Sequence, residues 1–302
     1  MELSVIISTH KRPKGLHRLL TSLRPQLRAD KHFLFIAENG TPAPASLPQG
    51  LVNLVHLHDP RPGKCRAQNR AIAQARGEIF VFLDDDVVAA PGHLVAVERF
   101  FAEHPEFAAM KGRILPEEDP VLKLGAAACY AALPLVDHGD RVIEVKGVVG
   151  ANMAFRARAL AEIGGFDERL GPGAAGDEEE SEMSARLRSA GMKIGYAPEA
   201  IVYHEVDPER AQRLRFLECA YRRGFSRALH ERHSLARLAL DNAIASLRLT
   251  LARRLPVTPE RLAREEYRTA TARGMLKATL GGRSYPRNDE SDSSRAKTGP
   301  KR

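Results

Sequence analysis

Apolar residues gather along this chain in short unbroken runs that alternate with segments of helical period. Residues 3–8 (LSVIIS) are apolar and β-branched without polar alternation, the pattern of a strand buried on both faces of a parallel sheet. Leu16, Leu19, Leu20, Leu23 and Leu27 then recur at helical spacing, with Arg18, Arg24 and Arg28 off the stripe, so a crossover helix is predicted there. Residues 33–37 form a second strand that ends in Glu38, Asn39 and Gly40, and residues 51–57 a third after a proline-rich loop. Strand, helix and strand make a βαβ unit, so the sheet is expected to be parallel. Residues 65–75 read as a helix stopped by Gly77, and 79–83 (IFVFL) as a wholly apolar strand that runs straight into Asp84, Asp85 and Asp86.

The second half is less regular. Residues 94–102, 157–163 and 180–190 read as helices, and 141–149, 194–197 and 200–203 as strands. Beyond His204 the pattern is purely helical, with Leu235, Leu238, Ile244, Leu247, Leu251 and Leu255 along one face and arginines off it. Residues 281–302 are rich in serine, glycine and charge and read as a disordered basic tail. The expected organisation is an α/β domain over 1–204, a helical extension over 205–280, and that tail.

Composition narrows the partners. Hydrophobic residues make up 43% and charged residues 28%, ordinary for a soluble globular protein and unlike a disordered chain. Cys65, Cys129 and Cys219 are widely separated and form no CxxC pair, which fits a reducing cytoplasm better than a disulfide framework. The N-terminal apolar run is too short for a signal segment, and no stretch approaches the ~20 apolar residues of a membrane span. A protein neither secreted by that route nor integral to the membrane is therefore expected. The net charge of +8 suggests a nucleic-acid partner until it is divided at His204. Residues 1–204 carry 24 Lys/Arg against 26 Asp/Glu, whereas the remainder carries 22 against 12. The basicity belongs to the C-terminal third.

The three aspartates are the strongest chemical signal. Acids directly after a buried strand repel one another unless a cation or a solvated turn relieves them, and strand carboxyl ends are where open α/β sheets bind ligands. A solvated turn is the bland alternative. The apolar strand before the acids and the Val-Val and Pro-Gly after them favour a divalent metal that also binds a diphosphate.

Four blocks carry a resemblance: LSVIISTHKRP, GKCRAQNRAIAQARGEIFVFLDDDVVAAPGHL, GANMAFRARALAEIGGFDERL and EEESEMSARLRSAGMKIGYAPEAIVYHE. In order and spacing they resemble the successive blocks of family 2 glycosyltransferases, over roughly two-thirds of the chain. The resemblance implies a GT-A fold, a Rossmann-like, mostly parallel sheet flanked by helices. Its first half (1–90) would bind the nucleotide and its second (91–204) the acceptor. It further implies inverting sugar transfer from a nucleoside-diphosphate sugar to a hydroxyl of a saccharide or lipid-linked acceptor, in surface polysaccharide or glycolipid assembly.

The same resemblance distributes roles. Thr9, Arg12 and Glu38, with Asn39 beside it, would hold the base, although Glu-Asn-Gly stands where an Asp-containing motif is commoner. Gly63 and Lys64 resemble the segment that closes over the nucleotide, where a lysine neutralises phosphate charge; a surface lysine before a helix is the alternative. Gln68 replaces an arginine carried by many relatives. Asp84 would touch the ribose, Asp85 support it, and Asp86 coordinate Mg2+ or Mn2+ as Lewis acid for the leaving group. Inversion also needs a base opposite the leaving group. Spacing back from Arg186 places it at Glu179 and Glu180, with Glu180 preferred and Glu178 the remaining alternative. Asn152 and Asp167 resemble acceptor-side residues. His204 resembles a histidine that helps hold the metal in some relatives, and a structural histidine is the alternative.

Competing functions are weighed on specific features. A nucleotidyltransferase would show a glycine-rich triphosphate loop near the first strand, and STHKRPKG is not one. Nucleic-acid binding is supported by the overall basicity but opposed by 6% aromatic residues and a near-neutral motif region. The C-terminal leucines either pack on the catalytic domain or a second subunit, or bury in anionic lipid with the arginines at the headgroups.

Overall fold

The computed structural model describes residues 1–41, 47–231 and 233–281. Five segments alternate as expected at the start: β1 (Leu3–Thr9), α1 (Pro13–Leu23), β2 (His32–Asn39), β3 (Leu54–Asp59) and α2 (Lys64–Ile72). The chain continues through β4 (Ile79–Asp84), β5 (Val87–Ala89), α3 (His93–Glu103), β6 (Phe107–Pro116), α4 (Pro120–Leu124), β7 (Ile143–Val145), β8 (Asn152–Arg156), α5 (Ala157–Ile163), α6 (Glu179–Ser189) and β9 (Lys193–His204). The nine strands form one sheet in the order β3-β2-β1-β4-β8-β6-β9-β5, with β7 also pairing β9. Strands β1 to β4 pair in parallel, and β8 inserts antiparallel between β4 and β6.

Two apolar layers cover the sheet. Leu16, Leu19, Leu20 and Leu23 of α1 pack with Leu94, Val97 and Phe101 of α3 on one face. Ala67 and Ala71 of α2, Leu160 of α5, and Met183 and Leu187 of α6 cover the other. These helices are amphipathic at the spacing that places one apolar stripe against a sheet.

Several elements differ from expectation. Strand-like residues 141–149 pair only over β7, and the two strands expected at 194–197 and 200–203 are one strand, β9. Its register against β6 skips from Gly112↔Ala197 to Arg113↔Ile201, so Pro198 sits in a bulge, where a missing N–H costs the ladder nothing. Asn152 repairs that bulge: its Nδ2 donates to the Ala200 carbonyl at 2.8 Å and the Arg113 carbonyl at 3.1 Å. A Cβ at Gly112 would collide with this amide, which accounts for glycine there.

The C-terminal region forms three helices, α7 (Arg213–His230), α8 (Leu235–Arg254) and α9 (Pro259–Gly281). Helices α7 and α9 meet backbone to backbone at Gly224 and Gly274, where added Cβ atoms would strike Thr271 and Tyr221. Of the expected leucine stripe only Leu238 is buried; α8 buries Leu238, Ala245, Leu249 and Ala252 instead. Packing of that stripe on the catalytic domain is therefore not found. Among the described residues no helix is long and apolar enough to cross a membrane. The tail expected over 281–302 lies, apart from Gly281, outside the described residues.

Candidate active site

Register builds the site. Pairing of Ser8 with Asp84 and of Thr9 with Glu38 brings the carboxyl ends of three adjacent strands to one edge. Antiparallel β5 sets Val87 opposite His204, and the Glu205 N–H donates to the Asp86 carbonyl at 2.9 Å. A histidine more than a hundred residues away is thus placed beside the third aspartate.

Asp85 is buried, with Thr9 Oγ1 donating to it at 2.7 Å and Arg12 Nε 3.7 Å away. Burial pushes its carboxyl up to about 7 against the Thr9 hydrogen bond and Arg12, with Asp86 and Asp84 adding to the rise. Gly15 packs directly on this turn: a Cβ there would run into the Asp85 carbonyl.

Asp86 holds two kinds of partner. Its Oδ2 accepts from Arg12 Nη1 at 2.7 Å and Arg210 Nη1 at 2.8 Å. Its Oδ1 is buried, has no hydrogen-bond partner, and lies 3.4 Å from His204 Nε2. His204 Nδ1 is 2.8 Å from the Glu205 carbonyl oxygen. A carbonyl only accepts, so in the neutral ring Nδ1 carries the proton and Nε2 presents its lone pair to Asp86. Two acceptors then face each other in a buried site. A divalent cation held by the two would relieve both; the carboxylate suits Mn2+ or Mg2+, and the imidazole favours Mn2+ of the pair. Burial opposes ionisation of Asp86, but the charge of a protonated His204, and in either state of that ring Arg210 and Arg12, hold its carboxyl below the ordinary range. These residues fit a divalent cation.

A second cluster lies beside the first. Lys64, the first residue of α2, reaches Asp84 Oδ1 at 2.8 Å, Glu179 Oε1 at 3.4 Å and Glu180 Oε1 at 3.6 Å. Burial alone would lower the lysine, yet Asp84, Glu179 and Glu180 carry it well above its usual value, so it stays charged. Burial and then Glu180 push Glu179 far up against the pull of Lys64. Burial also raises Glu180; Lys64 counters it, and Asp84 and Asp177 add to the rise. The Glu180 side chain is 18% exposed and that of Glu179 only 3%, so Glu180 is the more accessible acid of the two. Gly150 makes this approach feasible: a Cβ there would land on Glu180 Oε1 and crowd Lys64 Nζ.

Glu178 turns the other way. It occupies a left-handed conformation at φ 75° as the residue before α6, and its carboxylate meets Arg227 Nη2 at 3.1 Å, Arg223 Nε at 3.5 Å and His230 Nε2 at 3.8 Å. Arg223 also binds Asp177 at 2.9 Å, and the Asp177 N–H donates to Ser226 Oγ at 3.3 Å. Arg223, Ser226, Arg227 and His230 share one face of α7 at helical spacing. The turn that starts α6 is therefore gripped from α7, and the Glu178 carboxylate faces that helix while Glu179 and Glu180 face Lys64.

The remaining expected residues have defined places. Glu38 is buried with Oε2 3.0 Å from His56 Nε2. Asn39 Nδ2 donates to the Thr9 carbonyl at 3.2 Å while its Oδ1 accepts from the Gly63 N–H at 3.2 Å, tying β1 to the start of α2. Asn152 is fully buried at the β-bulge, where its Nδ2 donates to the Ala200 and Arg113 carbonyls. The Asp167 carboxylate is engaged by Arg169, with Nη2 at 2.6 Å. Sequence reasoning missed Arg210, His56 and Gly150. No local signal marks any of them, since each acts through a tertiary approach.

Comparison with known proteins shows the family and the fold. The profile of the family described as "Glycosyltransferase like family 2" matches residues 2–223. A pre-mycofactocin glycosyltransferase of Mycobacterium tuberculosis is 28% identical over 214 residues, covering 68% of this chain and 43% of that protein. A glucosyl-dolichyl phosphate glucuronosyltransferase of Haloferax volcanii is 23% identical over 164 residues, covering 49% of this chain and 52% of that protein. The chain thus spans about half the length of these relatives or less. Among solved structures, a mannosyltransferase of Pyrobaculum calidifontis in complex with GDP-Man and Mn2+ aligns with TM-score 0.51 at 17% identity, covering 93% of this chain and 76% of that one. Staphylococcus aureus TarS 1–349 in complex with UDP-GlcNAc aligns with TM-score 0.51 at 16% identity, covering 95% and 93%. At such identities the structural likeness establishes the GT-A fold.

Proposed function

We propose, on the premise that this chain belongs to the family 2 glycosyltransferases, that it transfers a sugar with inversion from a nucleoside-diphosphate sugar to an acceptor hydroxyl. The observation that carries the metal-assisted form of this reading is the unpartnered, buried Asp86 Oδ1 facing the Nε2 of a histidine whose Nδ1 is tied to a carbonyl. Asp86 and His204 would hold the cation, Mg2+ or Mn2+. When bound, it supplies Lewis-acid neutralisation of the diphosphate leaving group. Binding of GDP-Man with Mn2+ and of UDP-GlcNAc by proteins of this fold supports such a donor.

The chain's own residues do the rest. Thr9 and Arg12 at the end of β1, Glu38 at the end of β2 and Asp84 and Asp85 after β4 line the sheet edge assigned to the nucleoside. Arg12 and Arg210, which reach Asp86 in this structure, are cations of the kind that pair with phosphate oxygens. Glu180 accepts the acceptor's hydroxyl proton as the new C1–O bond forms on one face of the sugar. The C1–O bond to phosphate breaks on the other, its electron pair leaving with the diphosphate. A base with a raised pKa suits this task near neutral pH, and Lys64 keeps it ionisable despite burial. The acceptor, on this reading, is a saccharide or lipid-linked hydroxyl. The family match and intact acids favour transfer over nucleotidyl chemistry or nucleic-acid binding.

The test is nucleotide release from UDP-, GDP-, dTDP- and CDP-sugars with a panel of saccharide and lipid-linked acceptors. Glu180→Gln is expected to keep nucleotide affinity and lose transfer by at least ~100-fold. Full transfer by Glu180→Gln would remove Glu180 as the base.

A further inference from the structure

Helix α8 has apolar residues on two opposite faces, and the fold uses one. Leu238, Ala245, Leu249 and Ala252 are buried within the C-terminal helices. On the other side Leu240, Ile244, Leu247, Leu251 and Leu255 follow one another at intervals of three or four residues and are 55%, 40%, 61%, 48% and 57% exposed. At 100° per residue Leu240, Ile244, Leu247 and Leu251 lie within about 60° of the helix circumference, roughly 140° from the centre of the buried face, and Leu255 follows as the residue that caps the helix. Arg254 borders this stripe on one side, and Arg237 and Arg248 on the other; all three are exposed. The one acid at the border, Asp241, is engaged by Arg237 at 3.1 Å.

We propose that this outward face of α8 seats the protein on an anionic lipid surface, with the apolar side chains in the acyl boundary and the flanking arginines at the headgroups. A stripe of large apolar residues with a net basic rim is what an interfacial helix needs, because apolar burial and attraction to negative lipid then act together. The rim chooses between lipid and a second copy of this chain. A two-fold contact through this stripe would bring the arginines of both copies together with only Asp241 to offset them, whereas phosphate headgroups match them. The net positive charge of residues 205–302 acts in the same direction. The helix lies along such a surface and does not cross it, since no described helix meets the length and apolarity of a span. Lipid contact is independent of the chemistry at Asp86 and Glu180, and would bring the transfer site to a lipid-borne acceptor.

Co-sedimentation of the full chain with vesicles of phosphatidylcholine, with and without phosphatidylglycerol, tests this, alongside sedimentation velocity of the protein alone. Binding is expected to the phosphatidylglycerol vesicles, to weaken with salt, and to fall about fivefold for each of Arg248→Ala and Arg254→Ala. Leu247→Glu and Leu251→Glu, both at exposed positions and checked for folding by circular dichroism, are expected to abolish it. Absence of vesicle binding by the wild type, or undiminished binding by the folded leucine variants, would overturn the proposal. So would a concentration-dependent dimer that Leu247→Glu converts to monomer, because the face would then be a contact between copies.

Discussion

Replacing Arg227 by methionine tests whether the C-terminal helices hold the start of α6. Glu178 is 3% exposed, and its carboxylate rests on Arg227 at 3.1 Å, Arg223 at 3.5 Å and His230 at 3.8 Å, all on α7. Removing the sole partner of a buried ion costs ~3–5 kcal/mol. Here Arg223 remains, and the Arg227 side chain is 37% exposed and partly screened, so the expected loss is ~1–2 kcal/mol. Glu178→Gln removes the charge from the other side. The double variant should lose less than the sum of the singles by ~1 kcal/mol, read from urea unfolding followed by circular dichroism. The sign with pH follows from the carboxyl. Burial would raise it, but His230, Arg227 and Arg223 hold it below the ordinary value. A carboxylate lowered in the fold contributes stability above its unfolded pKa and loses it as pH falls through the folded one. The coupling should therefore be present at neutral pH and fade in acid. Single-variant losses that add to within ~0.3 kcal/mol at neutral pH would refute the clamp.

Three further outcomes follow from particular contacts. Gly150→Ala should displace Glu180 and Lys64 and reduce transfer by ~100-fold while nucleotide affinity, measured by titration, stays near wild type; unchanged transfer would mean the site tolerates the Cβ. Asn152→Ala strips two buried carbonyls of their donor at the β6/β9 bulge and should cost ~2–4 kcal/mol in unfolding experiments. His93 is buried at the start of α3, and burial pushes it from 6.5 to about 4, offset in part by the Ile201 backbone. The unfolded chain takes up that proton first, so stability should fall as pH drops below 6.5, by about 3 kcal/mol near pH 4. His93→Gln should flatten that part of the pH profile.

The parts of the fold legible in the sequence are those whose residues are buried on both faces. Strands β1, β2 and β4 are unbroken apolar runs because helices cover the sheet on each side, and α5 was found to its boundaries. Strands β6 and β8 carry no such signal. Lys111, Gly112 and Arg113 interrupt the first, and Asn152 and Arg156 bound the second, so their extended state follows from pairing with β4 and β9. Pro198 divided β9 in the sequence, while in three dimensions it sits in a bulge that Asn152 closes. In the site, the aspartates announce themselves by following an apolar strand. The roles of Arg210, Gly150 and the α7 face depend on contacts between segments far apart in the chain, which no local pattern encodes. Asn152 shows the converse: a motif position with a ready functional reading whose side-chain Nδ2 is engaged by two backbone carbonyls.

The measurement that bears most directly on the central claim is calorimetric titration of UDP, GDP, dTDP and CDP, each with Mn2+ and with chelator, into wild type, Asp86→Asn and His204→Ala. The structure leads to metal-dependent binding of at least one nucleotide, weakened at least ~10-fold in both variants. Equal affinity with Mn2+ and with chelator, or wild-type affinity in both variants, would contradict a divalent cation held between Asp86 and His204.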